Sequence, residues 1–314
     1  MDKILTIYTP TYNRKHLLPR LYESLKNQTN LDFRWLIIDD GSEDDTRSLV
    51  SDFINKGDID IEYHYKENGG VHTAKNEACR YINTELMVFV PSDCIVKKDA
   101  VQKICDYWRD DKKNHSIGMI FHYENLETGE IIGGQFPENV TVVNGMAVGE
   151  GYRVQSDKVF VFKSSFYKQF LYPVFPDEKL FPDSWKLYML HDAGYFHLIN
   201  EILIGVEYTN DGYTKNLLKT MANSPKGYFE YNRIRLEYEK EFSVLVRATI
   251  HYIAFAKFCE KKEAFFITKR KGLYLLLYPM GVFWFYRLKR IREGRTSLLA
   301  SKLLNLYRKG KNRK

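Results

Sequence analysis

Residues 34–46 read Arg-Trp-Leu-Ile-Ile-Asp-Asp-Gly-Ser-Glu-Asp-Asp-Thr. Trp35, Leu36, Ile37 and Ile38 form an unbroken apolar run, the pattern of a buried strand. The run ends in two adjacent carboxylates, Asp39 and Asp40. Gly41 and Ser42 then turn the chain. Asp44, Asp45 and Thr46 open a helix, because their side-chain oxygens accept from free backbone N–H groups and the acids suit the positive end of the dipole. Carboxylates at the carboxyl end of a parallel strand lie where open α/β sheets bind ligands. A cap uses one acid. Two acids side by side repel unless a cation or hydrogen-bond donors engage them, which marks Asp39 and Asp40 as candidates for more than capping.

On either side of this junction the chain alternates strand and helix. Ile4–Thr9 is a strand, and Leu17, Leu18, Leu21 and Leu25 put an apolar stripe on a helix over His16–Gln28. Leu49, Val50 and Phe53 mark the helix after the second strand, and Gly57 stops it. Ile59–Tyr65 alternates as a third strand. Asn68, Gly69 and Gly70 turn into a helix bearing Val71, Ala74, Ala78 and Ile82. Leu86–Val90 is a fourth strand, and Lys97–Trp108 is helical. The alternation predicts a mainly parallel sheet with right-handed crossovers. Later segments read as strands at Ile117–Tyr123 and Ile131–Gln135, and Asp157–Phe162 is a short apolar run. A helix follows from Ser164 through Phe170, another over Ser184–Met189, and a strand or hairpin over Phe196–Tyr208. Gly145–Gly151 reads as a loop, and Pro173–Pro182 as irregular. One apolar stripe runs through Ile234, Tyr238, Phe242, Leu245, Thr249, Ile253 and Ala256.

The chain has 314 residues, enough for one large domain with an appendage, and its 23 Tyr and 20 Phe supply ample core material. Cys79, Cys94, Cys105 and Cys259 form no CxxC pair and read as reduced thiols rather than a disulfide or zinc framework. The N-terminus is already a strand, which predicts a cytoplasmic protein without a leader. Of the net charge of +7, residues 261–314 hold 16 Lys/Arg against two Glu, leaving the first 260 residues at −7. A mildly acidic body with a basic tail argues against a surface spread with nucleic acid and for one anionic partner at the tail.

Four stretches stand at successive strand ends: Pro10-Thr11-Tyr12-Asn13-Arg14; Asp39-Asp40-Gly41-Ser42 with Asp44-Asp45-Thr46; Asn68-Gly69-Gly70 with Ala74-Lys75-Asn76; and Ser92-Asp93. Each alone is weak; their order and spacing together are specific. The chain resembles a family 2 glycosyltransferase of the GT-A fold, inverting, of the bacterial surface-polysaccharide type. The resemblance covers residues 3 to 110 well. A looser one runs to about 216 through Glu178-Lys179, Pro182-Asp183-Ser184 and Tyr208–Thr214. It implies a catalytic domain over residues 1–216, with a nucleotide-binding half (1–110) and an acceptor half (111–216), followed by a helical region over 217–314. A nucleotide-sugar would be the donor, and a glycan or lipid-linked glycan the acceptor.

The resemblance also implies roles. Pro10, Thr11, Tyr12 and one of Asp39 or Asp40 line the base and ribose pocket. Asn68 and Gly69 shape the turn beside it. Lys75 is a cation near the nucleotide, or else a solvated helix residue. Ser92 and Asp93 face the diphosphate, and Asp93 holds Mn²⁺ or Mg²⁺. Here the sequence departs from the family, because Cys94 stands where the usual acidic ligand would be, and a thiol is a poor ligand for a hard cation. Three readings follow: Asp93 holds the metal with water and phosphates, basic side chains replace the metal, or activity is lost. The acceptor-activating base is expected after Pro182, where Asp183 replaces the family's usual Glu. Asp183 would otherwise cap the helix at Ser184, leaving Asp192 as the fallback base. A non-catalytic nucleotide-sugar-binding scaffold is the alternative. A receiver-like or flavodoxin-like module would explain only the first 110 residues.

Gly272–Tyr286 is an apolar and aromatic run of 15 residues, short of the ~20 needed to span a bilayer and interrupted by Pro279. Lys269-Arg270-Lys271 precede it, and Arg287, Lys289, Arg290 and Arg292 follow. Aromatic rings between basic flanks suit the membrane interface. Segment 269–292 therefore reads as a peripheral element on an anionic membrane surface, or as an apolar segment packed on protein.

Overall fold

The computed structural model describes residues 3–111, 116–144, 158–207 and 217–295. The segments around Gly145–Gly151 and Tyr208–Thr214 lie outside the described residues. The chain divides into two compact units, Met1–Thr209 and Asn210–Lys314.

The first unit is built on β1 (Leu5–Thr11), β2 (Phe33–Asp39), β3 (Ile61–Tyr65) and β4 (Leu86–Phe89). To these are added β5 (Cys94–Val96), β6 (Ser116–Asn125), β7 (Val142–Asn144), β8 (Lys158–Lys163) and β9 (Tyr195–Val206). They form one sheet in the order β3-β2-β1-β4-β8-β6-β9-β5, with β7 on β9. β1 pairs in parallel with both β2 and β4, and β2 with β3. β8 runs antiparallel between β4 and β6.

Strands β1, β2 and β4 are covered on both faces. On one face Ile7, Trp35, Ile37 and Val88 meet α1 (Leu18–Lys26), α2 (Thr46–Lys56) and α4 (Ala100–Asp111) through residues such as Leu21, Phe53 and Ile104. On the other face Tyr8, Leu36, Ile38 and Met87 meet α3 (Val71–Tyr81), and Tyr167 of α5 (Ser164–Tyr167) joins the same cluster. Double coverage is why the Trp35–Ile38 run shows no polar alternation. A short helix α6 (Trp185–Met189) precedes β9. Tyr22 stacks on Phe53 with ring centroids 4.1 Å apart, tying α1 to α2.

β1 has β2 on one side and β4 on the other, so the chain reverses its direction of travel across the sheet at this pair. The crevice at the carboxyl ends of such a pair is where ligands bind in open α/β sheets.

The second unit is helical: α7 (Leu217–Asn223), α8 (Pro225–Tyr238), α9 (Phe242–Phe258), α10 (Ala264–Ile267) and α11 (Lys271–Arg292). Phe229 stacks on Tyr252 at 4.9 Å, joining α8 to α9. Gly281 is buried, and a Cβ there would lie 2.5 Å from Ile253 Cβ, so the missing side chain lets α11 close on α9.

Several expectations are corrected. Ile131–Gln135 is not a strand; only an isolated bridge joins Ile131 to Glu124. The helical stripe over residues 226–258 is two helices, because Glu239 and Glu241 are extended. Arg270 caps the first of them by donating to the carbonyls of Leu236 (3.3 Å) and Glu239 (3.1 Å). The helix at Ser164 stops at Tyr167 rather than Phe170. Pro279 does not interrupt its segment: the helix runs through it from Lys271 to Arg292. Among the described residues no helix is long and apolar enough to cross a membrane.

Candidate active site

The loops at the carboxyl ends of β1, β2 and β4 are stitched together by side chains. Asn13, at φ +51°, donates its N–H to Ser42 Oγ (2.9 Å) and accepts from the Glu43 N–H through Oδ1 (2.8 Å). The Asp40 N–H donates to the Thr11 carbonyl at 2.8 Å. Asp44 Oδ1 accepts from the Thr46 N–H (3.1 Å) and hydroxyl (2.5 Å), so Asp44 closes the turn into α2, while Asp45 pairs with Lys15. Burial opposes ionisation of Asp44, but these hydrogen bonds and Lys15 outweigh it and hold the carboxyl below its ordinary range.

Asp39 and Asp40 are both buried, and donors engage each separately. Asp39 accepts the Ser42 N–H on Oδ1 (2.8 Å) and the Tyr63 hydroxyl on Oδ2 (2.6 Å). Burial and the hydrogen bond to Asp39 push the Tyr63 hydroxyl well above its ordinary pKa, so it stays a donor. Asp40 accepts from Lys66 Nζ (2.6 Å) and the Gly69 N–H (2.9 Å) on Oδ1, and from the Gly70 N–H (2.7 Å) on Oδ2. Asn68 Nδ2 adds a bond to the Asp40 carbonyl at 2.8 Å. A carboxylate has about four acceptor positions, so Asp40 is nearly saturated by the loop it organises, whereas Asp39 keeps capacity. Thr11 Oγ1 is buried here without a partner, and Tyr12 stands 45% exposed above the strand end.

The Asn68-Gly69-Gly70 turn carries a second contact. Gly70 has φ +94°, and a Cβ there would fall 1.9 Å from the Lys179 carbonyl oxygen. Lys179 Nζ donates to the Asn68 carbonyl at 2.5 Å. The segment leading to Asp183 therefore lies directly on the turn that Asp40 holds.

Asp183 does not cap α6. Its Oδ2 accepts from Lys75 Nζ at 2.7 Å, and its side chain is 58% exposed while that of Lys75 is 4% exposed. The Lys75 ammonium sits 4.1 Å from the Phe89 ring centroid. Lys75 is thus neither a solvated helix residue nor an unengaged cation. Beneath it Lys186 is buried with Nζ 3.6 Å from the Tyr167 ring centroid and 4.5 Å from that of Tyr172. Burial, with Lys75 nearby, lowers its pKa to about 8. Asp192 pairs with His191 Nε2 at 2.8 Å and is 88% exposed.

Ser92 and Asp93 turn the chain between β4 and β5. Arg14 Nη1 donates to Asp93 Oδ2 at 2.9 Å, across the crevice between β1 and β4. Cys94 Sγ lies 3.8 Å from Asp93 Oδ1, and the thiol packs in the apolar core. Burial pushes its pKa far up, so it stays neutral. Among the described residues no group of three His, Cys, Asp or Glu side chains could hold a metal ion. One carboxylate already paired with a guanidinium, beside a neutral buried thiol, does not fit a hard cation that wants oxygen ligands.

Residues 6–170 match the family model described as glycosyl transferase family 2. The chain belongs to that family. An uncharacterized glycosyltransferase of Rickettsia felis is 36% identical over 101 residues, 32% of this chain and 16% of the relative. The O-antigen chain rhamnosyltransferase RfbN of Salmonella typhimurium is 29% identical over 107 residues, 34% of this chain and 33% of the relative. The matched stretch thus spans a third or less of these two relatives. Among solved structures, Staphylococcus aureus TarS (residues 1–349, with UDP-GlcNAc) superposes with TM-score 0.57 at 14% identity, covering 93% of this chain and 92% of that one. The mannosyltransferase PcManGT of Pyrobaculum calidifontis, solved with GDP-Man and Mn²⁺, gives 0.52 at 16% identity, covering 98% and 79%. At these identities the likeness shows the fold, which is GT-A.

Of the residues expected at the site, the structure joins Thr11, Asp39, Asp40 and Gly69 in one hydrogen-bond network and pairs Lys75 with Asp183 and Asp93 with Arg14, with Pro10, Tyr12 and Ser92 on the same strand ends. Lys66, Tyr63 and Lys186 were not foreseen. Arg14 was visible in its motif, but nothing local in the sequence shows its partner.

Proposed function

We propose that the family 2 chain transfers a sugar, with inversion, from a nucleotide-sugar donor to a hydroxyl of a glycan or lipid-linked glycan in surface polysaccharide assembly. The Lys75–Asp183 ion pair carries this reading. It holds a solvent-facing carboxylate in a fixed place, one turn of helix from the loop that Asp40 organises. The base and ribose of the donor would lie along Pro10–Tyr12, with Asp39 as the carboxylate that retains acceptor capacity. Asp183 would take the proton of the acceptor hydroxyl as its oxygen bonds to the anomeric carbon. The bond from that carbon to the β-phosphate oxygen breaks, and the nucleoside diphosphate leaves with the electron pair. Positive groups at the strand ends would stabilise that charge.

Incubating the folded protein with labelled UDP-, GDP-, CDP- and dTDP-sugars and a panel of lipid-linked and free glycans tests this. Transfer with inverted anomeric configuration is expected. Donor binding without any turnover across an adequate acceptor panel would leave the scaffold reading in its place.

The outer face of α11 supports peripheral attachment to the cytoplasmic face of an anionic membrane. Leu275, Leu276, Met280, Phe283 and Tyr286 recur at helical spacing and are 52–73% exposed. The opposite face, with Tyr274, Leu277, Gly281 and Leu288, is buried. Lys269 and Lys271 precede this stripe, and Lys289, Arg290 and Arg292 follow it. Such flanks attract anionic lipid by about 1 kcal/mol per basic residue.

A further inference from the structure

We propose that this chain grips the diphosphate of its donor with the Arg14 guanidinium in place of a divalent cation, and that Asp93 positions that guanidinium. This rests on the nucleotide-sugar reading above.

Three observations carry it. The first is place. Arg14 follows β1 and Asp93 follows β4, so their 2.9 Å bond spans the crevice where the sheet reverses its winding. Ligands of open α/β sheets lie at that crevice. The second is the donor set. A divalent cation at Asp93 would either displace Arg14 from Oδ2 or bind Oδ1 and sit beside a like charge. The neighbouring Cys94 offers sulfur buried in the apolar core instead of a second carboxylate. The third is the state of the cations. Lys66 is held by Asp40, Lys75 by Asp183, and Lys179 by the Asn68 carbonyl. Arg14 is half-buried with a single N–H on Asp93, so among the described contacts most of its fork remains for a ligand. A planar guanidinium matches two phosphate oxygens at once, and a carboxylate on one edge fixes its plane.

The geometry therefore assigns Arg14 to the phosphates and Asp93 to Arg14. Cys94 is compatible with this because no second acid is then required.

Calorimetric titration with UDP, GDP, CDP and dTDP, in EDTA and in Mn²⁺, tests the proposal. One nucleotide is expected to bind wild type within about twofold in the two conditions. Arg14→Ala should weaken it in EDTA by about 10- to 100-fold, the range for a charged hydrogen-bonded contact, and Arg14→Lys should restore only part. Asp93→Asn should weaken binding less than Arg14→Ala. The double variant should be no worse than Arg14→Ala, since a positioning residue has no effect once its client is gone. Cys94→Asp should acquire a Mn²⁺ dependence that wild type lacks. Circular dichroism checks that each variant folds. Wild-type binding that requires Mn²⁺, or an Arg14→Lys variant that folds and binds like wild type in EDTA, overturns the proposal and leaves the transferase reading standing. Binding of no nucleotide under either condition overturns both.

Discussion

Lys75 and Asp183 are 108 positions apart, yet Nζ and Oδ2 are 2.7 Å apart. Lys75 is buried and sits over Phe89, so the pair anchors the exposed carboxylate to the body of α3. Asp183→Asn should lower kcat by about 10²- to 10⁴-fold, the usual worth of a general base, with nucleotide affinity unchanged. Lys75→Met should keep the fold and the nucleotide affinity but lower kcat by about 10- to 100-fold through loss of positioning. Steady-state kinetics beside calorimetry separate the two effects. A Lys75→Met variant that loses nucleotide affinity instead would return Lys75 to the phosphates. Lys186 allows a stability test at the same scale. Its folded pKa of about 8 lies below the ordinary 10.5 because the ammonium is buried. Between those values the unfolded chain binds the extra proton, so stability should rise with pH from about 8 to about 10. Urea unfolding at pH 7.5 and 9.5 should show wild type gaining about 1–3 kcal/mol relative to Lys186→Met over that interval. Parallel profiles would mean that the Tyr167 and Tyr172 rings keep Lys186 charged.

At the scale of elements, the site depends on one loop lying flat on another. The Asn68–Gly70 turn hangs from Asp40 by two backbone N–H groups, and the Lys179 backbone closes on Gly70. Gly70→Ala meets two obstacles, a φ of +94° and a Cβ 1.9 Å from a carbonyl oxygen. It should cost at least about 2 kcal/mol and lift the 173–184 segment from α3. Lower urea midpoints with turnover reduced more than tenfold are expected. An unchanged turnover would show that the base is not placed through this turn. Elsewhere local pattern served unevenly. Helix α1 follows its leucine spacing, and α2 ends at Gly57, whose φ is +68°. The break between α8 and α9 falls at Glu-Lys-Glu, with no Gly or Pro to announce it. Its carbonyls are capped by Arg270, some thirty positions away.

Across the whole molecule, charge is divided unevenly along the chain. The first 260 residues carry −7 and the remainder +14. On α11 the face turned from α9 is apolar and exposed between basic ends. Replacing Leu276 and Phe283 together by Glu removes two side chains that are 73% and 68% exposed. Full burial of each is worth about 1.5–3 kcal/mol. Cosedimentation with vesicles containing phosphatidylglycerol should therefore fall more than tenfold in the double variant. Wild-type binding should weaken as salt is raised, since the basic flanks act through screened charge. Vesicle binding that survives both changes would place the membrane contact elsewhere. A dimer in wild type that the double variant dissolves would assign the face to a second copy.

The sequence by itself determined the strand–helix order of the first unit, the motifs at its strand ends and the family they announce. Periodicity, turn residues and adjacent acids are local properties, readable within a dozen positions. It also marked Asp183 and the departure at Cys94. Only the tertiary structure decided which donor each acid keeps: Asp40 the loop at 66–70, Asp183 Lys75, and Asp93 Arg14. Those pairings join residues 26, 108 and 79 positions apart. A side chain's charge is written in its identity, but its partner depends on which loops the sheet brings within 3 Å, and that is settled by strand order and packing.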